Sequence, residues 1–250
     1  MRKVLFHWRR VPCYSYPFFL YVGTVLGILA GMWGAARRGT ASPRMYIALV
    51  VLVIPALVGS RWLFVLSHRA QFRRHQVAPP RRWEGGAALY GGLLLALALS
   101  LPVLWLLRIP LGQFWDVATI TILVGMVFTK IGCMLNGCCV GKETSSWFAL
   151  YLPNIAGVWR RRVPSQLLES ALAVALLSSV PILWNRVLFP GAFFLLALCV
   201  YALGRLWLES TRENIDRIGR YSLHRVISFL LAAFSVTGLV LLSMAIHAKS

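Results

Sequence analysis

The stretch FWDVATITILVGMVFTKIGCMLNGCCVGK, Phe114 to Lys142, changes character along its length. Phe114 to Ile131 is almost wholly apolar and about long enough to cross a hydrocarbon layer of roughly 30 Å. Lys130 to Lys142 then gathers three of the five cysteines between two lysines. An apolar segment in lipid, without the alternation of a barrel strand, satisfies its backbone only as a helix. The stretch therefore reads as a membrane helix that ends in a cysteine-rich loop.

Working outward, six more runs of this kind appear: Tyr16 to Ala36, Met45 to Ser67, Ala87 to Leu107, Ser165 to Trp184, Leu188 to Leu208 and Leu223 to Ile246. The composition agrees. The chain is 59% hydrophobic and 13% charged, with a mean hydropathy of +0.72, against roughly 45–50% apolar and about 25% charged in soluble domains. These features predict an all-α integral membrane protein of seven transmembrane helices in one bundle, a single domain over residues 1–250. Pro55 and Pro102 fall inside runs two and three, where a kink is tolerated. The N-terminus is basic but lacks a small-residue cleavage site, so it is expected to be retained.

The 26 basic residues against 7 acidic ones do not indicate nucleic acid, because they lie between apolar runs rather than on a soluble face. Anionic membrane lipid is the partner such charges fit. The long or basic connections follow runs two, four and six, and the positive-inside rule alone places them in the cytoplasm.

Acidic residues are scarce, and two of them, Glu169 and Glu209, fall within or at the edge of spans. A charge there is costly and faces protein or a wet cavity. Arg205 precedes Glu209 by one helical turn, so the two share a face. They are either a mutually neutralising pair or an anion-binding arginine oriented by a carboxylate, since the guanidinium fork matches phosphate. In EGGAALYGG, Glu84 to Gly92, two glycine pairs bracket a helix start, suiting either close anion approach or close helix packing. In RVPSQLLES, Arg162 to Ser170, Pro164 suits a first helical turn and Gln166 offers both donor and acceptor. Cys13 and Cys199 read as small buried hydrophobes. Cys133, Cys138 and Cys139 form a C-x4-C-C run, which supplies three thiolates but no near fourth ligand, His68 and His75 being a loop away. A disulfide from Cys133 to Cys138 or Cys139, a substrate lining and thiol or metal chemistry all remain open; with no fourth ligand near, a bound metal or cofactor is not expected.

Together with GSRWLFVLSH (Gly59 to His68) and YALGRLWLESTRE (Tyr201 to Glu213), these motifs resemble, in order and spacing, those of the prolipoprotein diacylglyceryl transferases. The resemblance implies a multi-pass enzyme of the bacterial inner membrane. Such an enzyme moves diacylglycerol from phosphatidylglycerol to the cysteine thiol of a lipobox-bearing precursor and releases glycerol phosphate. It also implies that Arg205 is the phosphate-binding arginine, with Glu209 and Arg212 after it and Tyr201 before it. Lys130, Gly132, Asn136, Gly137 and Gly141 fall on the signature loop, Arg61 on helix two, Gly91 and Gly92 on the second glycine pair, Gln166 and Glu169 on helix five, and Tyr16 on helix one. Four positions depart from the pattern. Lys130 replaces an arginine, Cys133 an asparagine, Cys138 a glutamate, and Tyr90 a histidine. Tyr90 and Lys130 join Arg205 and Glu209 as candidate catalytic residues, with Tyr90 orienting the phosphate or thiol, since a phenol of pKa about 10 is a poor base. A non-catalytic or altered-acceptor lipid-binding relative is the alternative reading. The resemblance sets the basic end of the bundle outward, where a secreted precursor presents its cysteine, and that orientation is adopted.

Overall fold

A computed structural model describes residues 3–9, 11–67, 89–154, 157–186, 189–213, 217–218 and 221–248. Among them are seven helices long and apolar enough to cross a membrane: α1 (Ser15–Arg37), α2 (Pro43–Ser67), α3 (Leu89–Leu107), α4 (Leu111–Asn136), α5 (Ser165–Leu183), α6 (Ala192–Ser210) and α7 (Leu223–His247). The chain is a multi-pass membrane protein. His68, His75, Glu84 and the expected start of run three at Ala87 lie outside the described residues.

Three short antiparallel hairpins accompany the helices, the first ahead of α1 and the others in connections: β1 (Val4–Trp8) with β2 (Val11–Tyr14), β3 (Leu150–Pro153) with β4 (Trp159–Arg162), and β5 (Arg217–Ile218) with β6 (Tyr221–Ser222). They lie outside the apolar runs, where an all-helical reading offers the backbone no partner and strand pairing supplies one. Because the helices alternate in direction, all three hairpins sit at the end shared by the starts of α1, α5 and α7 and the ends of α4 and α6.

Close backbone contact sets the helix pairs. Gly23, Gly27 and Gly31 recur every four residues on α1, and a methyl group on any of them would overlap Gly125 and Phe128, Thr121, or Thr121 and Val117 of α4. Small residues at this spacing let membrane helices approach closely. Gly59 of α2 meets Gly91 of α3 in the same way, and Ala56 meets Gly92. Outer faces carry Trp33, Trp62, Trp105 and Phe229, all exposed and apolar as a lipid-facing surface requires.

At the far end, Asp116 of α4 is a third acid within a span, which the reading of Glu169 and Glu209 alone passes over. It is fully buried and accepts hydrogen bonds from the backbone N–H groups of Gly191 and Phe194 at 3.0 and 2.9 Å. Those are orphan donors at the α6 N-terminus, where a negative charge also complements the helix dipole. Arg38 completes the arrangement with an ion pair to Asp116 at 2.9 Å and a guanidinium 3.8 Å over the Trp184 ring.

Candidate active site

The cysteine-rich stretch is half helix and half turn, a correction to the loop expected from sequence. α4 runs through Lys130 and Cys133 to Asn136 and stops at Gly137, which is left-handed with φ 75°. The Gly137 N–H donates to the Met134 carbonyl and the Cys138 N–H to the Cys133 carbonyl, a closed helix end that favours glycine. Beyond it the chain threads between two elements. Gly141 donates to the Val163 carbonyl, Lys142 donates to that of Thr211, and Gly141 pairs with Arg212 as an isolated bridge. A methyl on Gly141 would overlap the Val163 carbonyl. Gln166, 1% exposed, donates from Nε2 to the Cys138 carbonyl at 2.8 Å. Pro164 is the N-cap of α5 rather than part of its first turn.

This threading brings the ends of α4 and α6 against the start of α5, and their charges converge on one carboxylate. Glu169 Oε1 receives Arg205 Nη1 at 3.0 Å and Arg212 Nη2 at 2.5 Å, and Oε2 receives Lys130 Nζ. Arg205 Nη2 pairs with Glu209 Oε2 at 3.0 Å, so one guanidinium bridges two carboxylates. Glu209 in turn accepts from the Ser222 hydroxyl at 3.0 Å. Glu169, Glu209 and Arg205 are all buried. Three cations thus face two carboxylates. Besides Glu209 Oε2, which has its ion pair with Arg205, Arg212 Nε and Gln166 Oε1 are buried at the cluster without a hydrogen-bond partner among the described residues. Orphaned groups of this kind are uncommon in native interiors and call for an explanation.

An aromatic wall stands beside the charges. Tyr90 and Tyr201 meet edge to face with ring centroids 6.4 Å apart. The Tyr90 hydroxyl hydrogen-bonds Ser228 Oγ at 2.5 Å, and its ring lies 5.7 Å from that of His224. Ser222, His224 and Ser228 belong to the start of α7, which the sequence reading leaves out of the site.

The three thiols lie near the same charges, with Cys139 within electrostatic reach of Glu169 and Tyr201. Their sulfur atoms are all within 4.8 Å of one another, and all five cysteines are free. Cys139 is left-handed at φ 60°, a conformation that costs an L-residue about 1–2 kcal/mol. Thiol hydrogen bonds with Cys133 and Cys138, with Arg212 and Lys130 nearby, hold the Cys139 thiol well below its ordinary range. A hydrogen bond with Cys133 draws Cys138 down, but its bond with Cys139 and burial outweigh this and push it up to about 12. Burial opposes the charge on Arg212, but the charges of Glu169, Cys139 and Glu209 and the hydrogen bond to Glu169 together outweigh it and hold Arg212 well above the usual arginine value.

Of the residues expected at the site, Lys130, Glu169, Arg205, Glu209 and Arg212 form the charge cluster, and Tyr90 and Tyr201 form the wall. Asn136, Gly137 and Gln166 build the turn. Tyr16 lies against Gly132, within electrostatic reach of the three cysteines and of Arg61. Gly91 and Gly92 meet α2 rather than the charges, so the helix-packing reading accounts for both.

A family model described as prolipoprotein diacylglyceryl transferase matches residues 3–241. Three relatives are named phosphatidylglycerol--prolipoprotein diacylglyceryl transferase, the last with the suffix 2. The protein from Nostoc sp. is 24% identical over 239 residues, covering 90% of this chain and 83% of its own. That from Geobacillus kaustophilus is 27% identical over 248 residues, covering 94% and 90%, and that from Clostridium perfringens is 25% identical over 240 residues, covering 92% and 91%. With the model spanning nearly the whole sequence, the chain belongs to the prolipoprotein diacylglyceryl transferase family.

Proposed function

We propose that this chain transfers the diacylglyceryl group of phosphatidylglycerol to the thiol of a lipobox cysteine in a lipoprotein precursor. It acts as a single seven-helix unit in the bacterial inner membrane, with the hairpin-bearing end outward. The observation that carries the reading is the convergence of Lys130, Arg205 and Arg212 on one buried carboxylate, Glu169, a set of cations that suits the negative charge of a phosphodiester.

In the reaction, the sulfur forms a bond to the glycerol carbon that bears the phosphate. The carbon–oxygen bond breaks, its electron pair stays on the phosphate oxygen, and glycerol phosphate leaves. Charge therefore grows on the phosphate, and cations already in position stabilise that growth without reorganising. Arg205 and Arg212 supply forks that match phosphate oxygens, and Lys130 supplies a point charge. The orphaned Arg212 Nε is a donor for a phosphate oxygen, and Gln166 Oε1 is an acceptor for a hydroxyl of the glycerol headgroup. Tyr90, already bonded to Ser228, orients its surroundings and does not take the proton of the thiol. Incubation of Arg205→Ala and Lys130→Ala variants with phosphatidylglycerol and a lipobox peptide tests these roles, and full transfer by both would overturn them.

A further inference from the structure

The proposed reaction alkylates a thiol, and a thiol of pKa about 8.5 is mostly protonated at neutral pH. The charge cluster offers no ready base. Glu169 and Glu209 are both engaged by cations, and Tyr90 and Tyr201 are phenols with a reference value near 10. Activation of the thiol therefore needs another source.

The cysteine cluster has the form of one. Cys133 projects from the last turn of α4, and Cys138 and Cys139 follow the helix-ending turn, so three sulfurs converge within 4.8 Å. Zinc–sulfur bonds of about 2.3 Å at tetrahedral angles set sulfurs about 3.8 Å apart, so the cluster has at most about 1 Å to close. Among the described residues, no fourth cysteine, histidine or carboxylate joins the group. For a closed structural site that is a defect. For a catalytic zinc, three protein ligands and one open position are the usual arrangement. Three thiolates on a divalent cation carry one net negative charge, and Lys130 and Arg212 stand within electrostatic reach of Cys139.

We propose that Cys133, Cys138 and Cys139 hold a zinc ion with one open position, and that the acceptor thiol occupies it as a thiolate. This rests on the transfer reaction proposed above. Binding to the metal deprotonates a thiol outright, and the proton passes to solvent. The metal-bound sulfur then forms its bond to the glycerol carbon as the carbon–oxygen bond breaks toward the phosphate. The product thioether is neutral and a weak ligand, so it leaves the metal and the site reopens. No electron is gained or lost by the metal. The same arrangement explains why a tyrosine is tolerated at position 90, since the thiol arrives at the carbon already ionised.

The test uses the full chain in detergent, loaded with zinc or cobalt(II). The expected result is about one metal ion per chain by elemental analysis, and a sulfur-to-cobalt charge-transfer band that shifts when a lipobox peptide is added. A peptide with serine in place of its cysteine leaves the band unshifted. Chelation lowers transfer by about 10²-fold or more, the range a lost proton-transfer catalyst costs, and added zinc restores it. Cys133→Ser, Cys138→Ser and Cys139→Ser lose the metal, Cys13→Ser and Cys199→Ser keep it, and thermal stabilisation by phosphatidylglycerol persists in all five. Wild-type protein that transfers at full rate without metal would overturn the proposal and leave the reaction standing, with His224 beside Tyr90 as the group to test as base. A cobalt band that shifts with the thiol peptide in a protein that transfers nothing would uphold the metal site and overturn the reaction.

Discussion

Glu169→Gln is the most diagnostic single substitution, because it keeps the shape of the side chain while removing the charge on which Lys130, Arg205 and Arg212 converge. In the wild type, two carboxylates face three cations. In the variant Glu209 alone remains, and it reaches Arg205. Breaking a buried ion pair from one side costs about 3–5 kcal/mol, a loss of about 10²- to 4×10³-fold in the folded-to-unfolded ratio. Part of that loss should be recoverable, because a phosphodiester in the site supplies a replacement negative charge. Thermal unfolding in detergent, with and without phosphatidylglycerol, reads both effects. The variant should unfold at a lower temperature than wild type and gain more from the lipid than wild type does. Glu143→Gln serves as a control outside the cluster: Glu143 is 55% exposed, and the buried Arg162 it reaches keeps its 2.6 Å ion pair with Glu213, so this variant should gain no more from the lipid than wild type. If Glu169→Gln unfolded with wild type and gained no more from the lipid, the reasoning from a shared counter-charge would be wrong.

Arg205→Ala should lower transfer by about 10²- to 10³-fold, the cost of losing one donor to a developing anion, as read by mass spectrometry of the product peptide. Arg205→Lys should restore little of it, because an ammonium cannot bridge Glu169 and Glu209 as the fork does. Gly27→Leu should destabilise the fold by about 1–3 kcal/mol or more, since even its Cβ would overlap the Thr121 carbonyl. Gly125→Ala should cost little, its methyl sitting 3.7 Å from the Gly23 carbonyl, and thermal unfolding separates the two. Trp147 is 93% exposed at the hairpin-bearing end. A Trp147→Cys variant with the five native cysteines replaced by serine should react with an impermeant maleimide in spheroplasts, and labelling only after lysis would reverse the orientation.

The spans were legible because each is an uninterrupted apolar run of about the length a bilayer demands, and the helices match them to within a few residues. The Arg205–Glu209 pair was legible for a local reason, since one helical turn separates them. The convergence of Lys130 and Arg212 on Glu169 was not, because it joins three helices through a threading loop that no spacing reveals. The end of α4 was misjudged because Gly132 and Gly137 look alike in sequence. Only packing of Gly132 against Tyr16 and Phe19 of α1, and the left-handed backbone at Gly137, tell a helix interior from its stop. The four-residue glycine spacing on α1 and the acid at Asp116 were present in the sequence as signals of helix packing and of a buried cap. Ser222, His224 and Ser228 carried no such signal, since polar residues near the start of a span are equally at home at a membrane interface.

Transfer itself is measured on the purified protein. Purified chain incubated with phosphatidylglycerol and a lipobox peptide should convert the peptide cysteine to a diacylglyceryl thioether, seen as the corresponding mass increment on that residue together with released glycerol phosphate. Unmodified peptide, in a sample whose protein is folded and stabilised by phosphatidylglycerol, would contradict it.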